Sequence, residues 1–108
     1  MKKSKNLKEI PPIKALEGIY RRTMCFNDEI MLCYFNLKKG SEIPSHKHKE
    51  NQVGYVIRGK MKFFTEDEDF IVEKGDCYLF QSNESHGAKI LEDTEVIDIF
   101  NPSRVDYL

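Results

Sequence analysis

Three histidines occur in the chain, His46, His48 and His86. His46 and His48 stand two residues apart, so on an extended segment their side chains share a face. Gln52 has the same parity and joins that face if the chain stays extended or turns compactly. His86 opens a later strand-like run. Two imidazoles from one strand and a third from a neighbouring strand can converge inside a barrel, each neutral ring offering one lone pair along its plane. Gln52 adds an amide oxygen. Three nitrogens and one oxygen suit a single divalent transition metal and leave positions open for water or substrate. Nickel, zinc, iron, cobalt and manganese all fit that donor set. The opposing reading is a solvated loop, since His-Lys-His-Lys-Glu lies between a proline and a polar stretch. The spacing of the turns weighs against it. Gly40 lies six residues before His46, Gly59 ends the strand after Gln52, and Gly75 lies eleven residues before His86. The histidines are therefore placed relative to hairpin turns.

The elements that must position these residues read as short β-branched and aromatic runs. Strands are expected at Gly18 to Thr23, Ile30 to Leu37, Gln52 to Arg58 and Met61 to Thr65. Others follow at Phe70 to Glu73, Cys77 to Gln81, His86 to Leu91 and Glu95 to Phe100. Turn signals recur about every ten residues, the rhythm of a small sandwich or barrel. Residues 1–17 are polar apart from Ile10, Ile13 and Leu16, and read as an arm that pairs with a sheet edge or a second subunit. The acidic run Glu66 to Asp69 lacks the glycine and the spaced glutamate of a calcium loop and reads as a solvated hairpin tip.

A chain of 108 residues predicts one domain, and 40% hydrophobic residues suffice for a compact core. Seventeen basic and eighteen acidic side chains leave a net charge of -1, which offers no general attraction for nucleic acid or an anionic membrane. No apolar run approaches a membrane span, and the lysine-rich start has no apolar segment behind it to form a secretory signal. Cys25, Cys33 and Cys77 are odd in number and lack a C-x-x-C spacing, so they read as small buried thiols of a reducing cytoplasm.

The histidine motif resembles the cupin superfamily, whose first motif runs G-x5-H-x-H-x3-E-x6-G. Gly40, His46, His48, Gln52 and Gly59 occupy those positions, with Gln52 in place of the acid. The second motif, G-x5-P-x-G-x2-H-x3-N, is kept in Gly75 and His86 and departs at Gln81, Asn83 and Ile90. The resemblance implies an all-β, single-domain cupin, a jelly-roll barrel over residues 18–108 preceded by the arm. It also implies metal ligation by His46, His48, Gln52 and His86. A neutral Gln ligand leaves the site's charge higher than Glu would, which favours Lewis-acid chemistry over dioxygen activation.

The last strand and tail narrow the resemblance. Asp98 and Phe100 share one face, Ile97 and Ile99 the other. The two isoleucines belong in a packed sheet, so Asp98 faces either solvent or the barrel interior. The ending is similar to the D-x-F-x-P-x-R-x-D-Y-L tail of the pectin-degradation, KdgF-type cupins, with Ser103 where a second proline is common. Those cupins convert 4,5-unsaturated uronates to linear keto acids. The resemblance implies Arg104 as the partner of the sugar carboxylate, Asp98 as general acid/base and Phe100 as packing against the sugar. Tyr34, Tyr55, Met61 and Phe63 either line the rest of the cavity or belong to the core. Rival readings are a metal-dependent oxygenase, a non-enzymatic module that senses acidic sugars, and a storage cupin without metal. A homodimer joined through the arm is expected.

Overall fold

The structure, a computed structural model, describes residues 3–108; Met1 and Lys2 of the lysine-rich start lie outside them. Ten strands follow in order: β1 (Ile13–Leu16), β2 (Ile19–Phe26), β3 (Met31–Leu37), β4 (Glu42–His46), β5 (Asn51–Arg58), β6 (Lys60–Thr65), β7 (Asp69–Glu73), β8 (Cys77–Phe80), β9 (His86–Ile90) and β10 (Thr94–Asn101). Short 3-10 turns at Leu7–Glu9 and Val105–Tyr107 flank them. One sheet runs β1-β2-β3-β10-β5-β8 and the other β4-β9-β6-β7, every pairing antiparallel. Two sheets packed face to face make the jelly-roll form of an all-β domain.

Period-2 alternation fills the space between the sheets. Gln52, Gly54 and Val56 point inward from β5, Tyr78 and Phe80 from β8, and Thr94, Val96, Asp98 and Phe100 from β10. The outward neighbours Val53, Tyr55, Leu79 and Ile99 are between 42% and 62% exposed. One end of the interior is aromatic: the Phe63 ring centre lies 5.0 Å from that of Phe80 and 4.6 Å from that of Tyr78. Removing such a buried phenyl ring costs about 3–5 kcal/mol. The β5–β6 turn is pinned to the start of β10. Gly59 has φ +99°, and a Cβ there would meet the Asp93 carbonyl oxygen at 2.4 Å. Buried Thr94 accepts from the Lys60 backbone N–H through its hydroxyl oxygen, 3.0 Å away.

The arm contains β1, which pairs with β2 of the same chain at the sheet edge, one of the two pairings expected of it. Several other details depart from the sequence reading. β4 is an unforeseen strand. β2 runs on to Phe26. Tyr55 points outward and is 51% exposed, and Tyr34 is hydrogen-bonded to Glu95 away from the cavity, so neither lines it. Of the three thiols only Cys33 is buried; Cys25 and Cys77 lie on the outward faces of β2 and β8. Ile97 and Ile99 occupy the outer face, which leaves the interior to Asp98 and Phe100. The acidic run forms the exposed β6–β7 turn, closed by the Thr65 backbone N–H donating to the Glu68 carbonyl at 3.0 Å.

Candidate functional site

The three histidines come from three kinds of local structure rather than from one continuous strand. β4 ends at His46, His48 lies in the link to the other sheet, and Gln52 is on β5 of that sheet. His86 is the first residue of β9 and pairs across the sheet with His46. Their ligand nitrogens all lie within 4.8 Å of one another. Each Nδ1 faces a backbone carbonyl: His46 that of Pro44 at 3.0 Å, His48 that of Glu50 at 2.9 Å, His86 that of Glu84 at 2.9 Å. A carbonyl only accepts, so these contacts set the proton on Nδ1 and leave Nε2 as a lone pair. Burial lowers the pKa of His48, and pushes that of His86 down to about 4. The Phe80 ring stacks on His86 at 4.1 Å with an interplanar angle of 2°, which holds the imidazole plane.

This tautomer pattern supplies a test of fit for a cation. His48 Nε2 and Gln52 Oε1 face each other at 3.1 Å. With the proton on Nδ1, both atoms are acceptors, an arrangement that repels unless a positive charge lies against both. Two donors each about 2.1 Å from one metal stand about 3.0–3.4 Å apart, from right-angled to tetrahedral arrangements. The donor set therefore fits a divalent transition ion. Behind His48, the Glu50 carboxylate lies 3.5 Å from Nδ1 and is almost fully buried.

Asp98 sits beside this cluster. Across the sheet, Asp98 on β10 is in register with Gly54 on β5, and Gly54 with Tyr78 on β8. Because Gly54 has no side chain, the Tyr78 hydroxyl reaches past it and donates to Asp98 Oδ1 at 2.6 Å. A Cβ on Gly54 would lie 2.1 Å from Tyr78 Cζ and 2.3 Å from Asp98 Oδ1. Burial raises the Asp98 pKa to about 6, against the opposing pull of Tyr78, Gln52 and Arg104. Burial and the neighbouring carboxylate push the Tyr78 phenol well above its usual range, so it stays a donor.

The far wall comes from the tail. Arg104 lies 5.3 Å from the Phe100 ring centre and 4.0 Å from that of Tyr107, and its Nη1 donates to the Tyr107 hydroxyl at 2.9 Å. Its Nη2 is paired with Asp106 at 3.0 Å. Thr23 on β2 donates to the Tyr107 carbonyl at 2.7 Å and so ties the tail to the sheet. His46, Gln52, His86, Asp98, Phe100 and Arg104 all border one cavity of about 510 Å³. Met61 and Phe63 border it too.

A family model for the cupin domain matches residues 33–100, which includes all three histidines and Asp98. The chain belongs to the cupin family. This cupin is 36% identical to the pectin degradation protein KdgF of Dickeya dadantii (strain 3937) over 102 residues, 93% of each chain. The solved structure of KdgF from Halomonas sp. matches it with a TM-score of 0.93 at 28% identity, over 100% of both chains. An RmlC-like cupin from Shewanella frigidimarina NCIMB 400 matches with a TM-score of 0.94 at 25% identity, over 100% of this chain and 97% of the other. The cupin is thus a homologue of KdgF. No helix of the described residues is long and apolar enough to cross a membrane.

Four residues of the site were not singled out from the sequence: Arg21, Glu50, Tyr78 and Tyr107. Gly54 stands inside the histidine motif and Tyr107 inside the tail motif, and a lone glycine within a strand is a signal for close approach. Arg21 carried no such signal. It is 8% exposed, points inward from β2, and its guanidinium carbon lies 4.1 Å from the Tyr107 ring centre. Its Nε is buried without a hydrogen-bond partner. Burial of an unpaired cation costs several kcal/mol, of which a desolvated cation–π contact returns about 2 kcal/mol or more.

Proposed function

We propose that this cupin opens the ring of 4,5-unsaturated uronates and promotes their conversion to the linear keto acid. The observation that carries the reading is the meeting, in one cavity, of a metal-fit donor set, a buried carboxyl and an arginine. His46, His48, Gln52 and His86 would hold one divalent transition metal. Bound there, such an ion supplies Lewis-acid polarisation of a substrate oxygen.

The protein's own groups account for the remaining steps. The Nη groups of Arg104 keep N–H donors beyond those turned to Asp106 and Tyr107, and these pair with the sugar carboxylate and set its orientation. Phe100 packs between that arginine and His48 and keeps water from the reacting face. As the C1–O5 bond breaks, the anomeric hydroxyl gives up its proton and C1 becomes an aldehyde. The released ring oxygen is the enol oxygen at C5. Its conversion to a ketone places a proton on C4, so the overall change is an isomerisation with no net gain or loss of atoms. Asp98, with its pKa near 6, is suited to carry that proton in either direction. Tyr78 fixes which carboxylate oxygen stays free to do so.

The stereochemistry at C4 tests this assignment. In D2O, delivery from Asp98 on one face gives a product with deuterium at one C4 position, as read by proton NMR. Equal labelling of both positions at early times, at the spontaneous rate, would remove the proton-transfer role. We further propose a cytoplasmic protein, where the three free thiols stay reduced. We also propose a homodimer built on β1, whose Ile13 and Leu16 are 53% and 44% exposed at a sheet edge. Light scattering on Ile13→Ser tests the dimer: a monomer is expected, and an unchanged mass from a folded variant would place the interface elsewhere.

A further inference from the structure

We propose that Arg21 is a second carboxylate-binding residue, forming with Arg104 a two-arginine cradle on Tyr107 that selects acidic over neutral sugars. This rests on the uronate reading given above. Three observations point to it. First, Arg21 borders the same cavity as Arg104, Asp98, His46 and His86. Second, its Nε is a buried donor with no acceptor, and among the described residues no carboxylate pairs with its guanidinium. Arg104, by contrast, is partly neutralised by Asp106. Third, both guanidinium carbons lie about equally far from the Tyr107 ring centre, at 4.1 and 4.0 Å, so one ring sets the position of both.

A purely structural arginine would be expected to spend its donors on backbone carbonyls or an acid. Arg22, next in the chain, does so: its Nε donates to the Ile10 carbonyl at 2.7 Å. Arg21 has no such acceptor among the described residues, and its side chain borders the cavity. A carboxylate is the chemistry that satisfies a planar donor fork and a buried positive charge together. A sugar hydroxyl satisfies the donor without neutralising the charge. Arg21 therefore contributes selectivity for the acid as well as affinity.

The test uses the zinc-loaded full chain and two sugars that contain no double bond, D-galacturonate and D-galactose, with binding followed by calorimetry. The wild-type protein is expected to favour D-galacturonate. Arg21→Met is expected to weaken D-galacturonate by about tenfold to a hundredfold, the range for a charged hydrogen bond, and to leave D-galactose unchanged. In turnover of 4,5-unsaturated galacturonate the same variant is expected to raise KM by about tenfold with a smaller change in kcat. Binding and KM within twofold of wild type, in a folded variant with full zinc, would overturn the proposal. Should Arg21→Met not fold, the wild-type protein labelled with 15N-arginine gives a second readout. The Nε–H signal that disappears in Arg21→Lys is expected to shift with D-galacturonate and not with D-galactose. No shift would overturn the proposal. Binding of D-galacturonate that depends on Arg21, without turnover, would sink the ring-opening reading and leave this one standing. Turnover with binding indifferent to Arg21 would do the reverse.

Discussion

Replacing Gly54 with alanine tests whether the slot between Asp98 and Tyr78 is needed. The added Cβ would lie 2.1 Å from Tyr78 Cζ, 2.3 Å from Tyr78 Cε1 and 2.3 Å from Asp98 Oδ1. Comfortable contact needs about 3.4 Å or more, so the ring and the carboxyl must each give way by about 1 Å. Neither is free to do so, because Tyr78 is 6% and Asp98 5% exposed. Overpacking of this kind costs about 1–3 kcal/mol. Stretching the 2.6 Å bond between Tyr78 and Asp98 adds about 1.5–3 kcal/mol, as for a hydrogen bond to a charged group. Alanine's better strand entropy returns only about 0.5–1 kcal/mol. The net is a loss of about 2–5 kcal/mol, or a Tm lower by about 10 °C or more for a domain of this size. Because Asp98 moves by about 1 Å, kcat is expected to fall by about a hundredfold. The histidines lie outside the clash, so metal content by mass spectrometry stays at the wild-type level. In the double variant with Tyr78→Val the clash with the ring is gone, so the two substitutions together are expected to cost less than the sum of their separate losses. An unchanged Tm and kcat in Gly54→Ala would refute the reasoning, since it would mean that the pair can be displaced without consequence.

Other expectations follow from the same geometry. Asp98→Asn keeps its metal and loses turnover; a fully active variant would end the acid/base role. His48→Ala stays folded and loses stoichiometric metal, as measured after dialysis; retained metal would break the ligand assignment. Tyr78→Phe removes the bond to Asp98 and lowers kcat by about tenfold with metal unchanged, the cost of one charged hydrogen bond. With a thiol reagent near pH 8, Cys25 and Cys77 react in the native protein, whereas Cys33 reacts only on unfolding. Burial pushes the Cys33 thiol up to about 11, so the thiolate that reacts is absent at that pH.

The strands legible in the sequence are those with one apolar and one polar face bounded by glycine turns, such as β6 and β10. β4 was not legible because Glu-Ile-Pro-Ser-His contains one aliphatic residue and a proline, and it forms only as an edge strand, where a missing N–H is tolerated. β1 is short and exposed throughout, so its pattern could not mark a buried face. The direction of Asp98 could not be read from parity because Ile97 and Ile99 make the opposite face apolar as well. The structure resolves the choice by leaving that face outside and surrounding Asp98 with Tyr78 and Gln52. The histidines stood out because imidazole is rare in this chain. Arg21 did not, since it precedes another arginine in a run where only tertiary packing decides which of the two turns inward.

The measurement that bears most directly on the account is the loss of ultraviolet absorbance of the conjugated double bond in 4,5-unsaturated galacturonate. It is followed in parallel with metal-loaded protein, metal-stripped protein and metal-loaded Asp98→Asn, after subtraction of the spontaneous reaction. The account predicts acceleration by the metal-loaded wild type alone, restored in the stripped protein when metal is returned. Equal rates in all three, with metal shown to be present in the two loaded samples and absent from the stripped one, would contradict it.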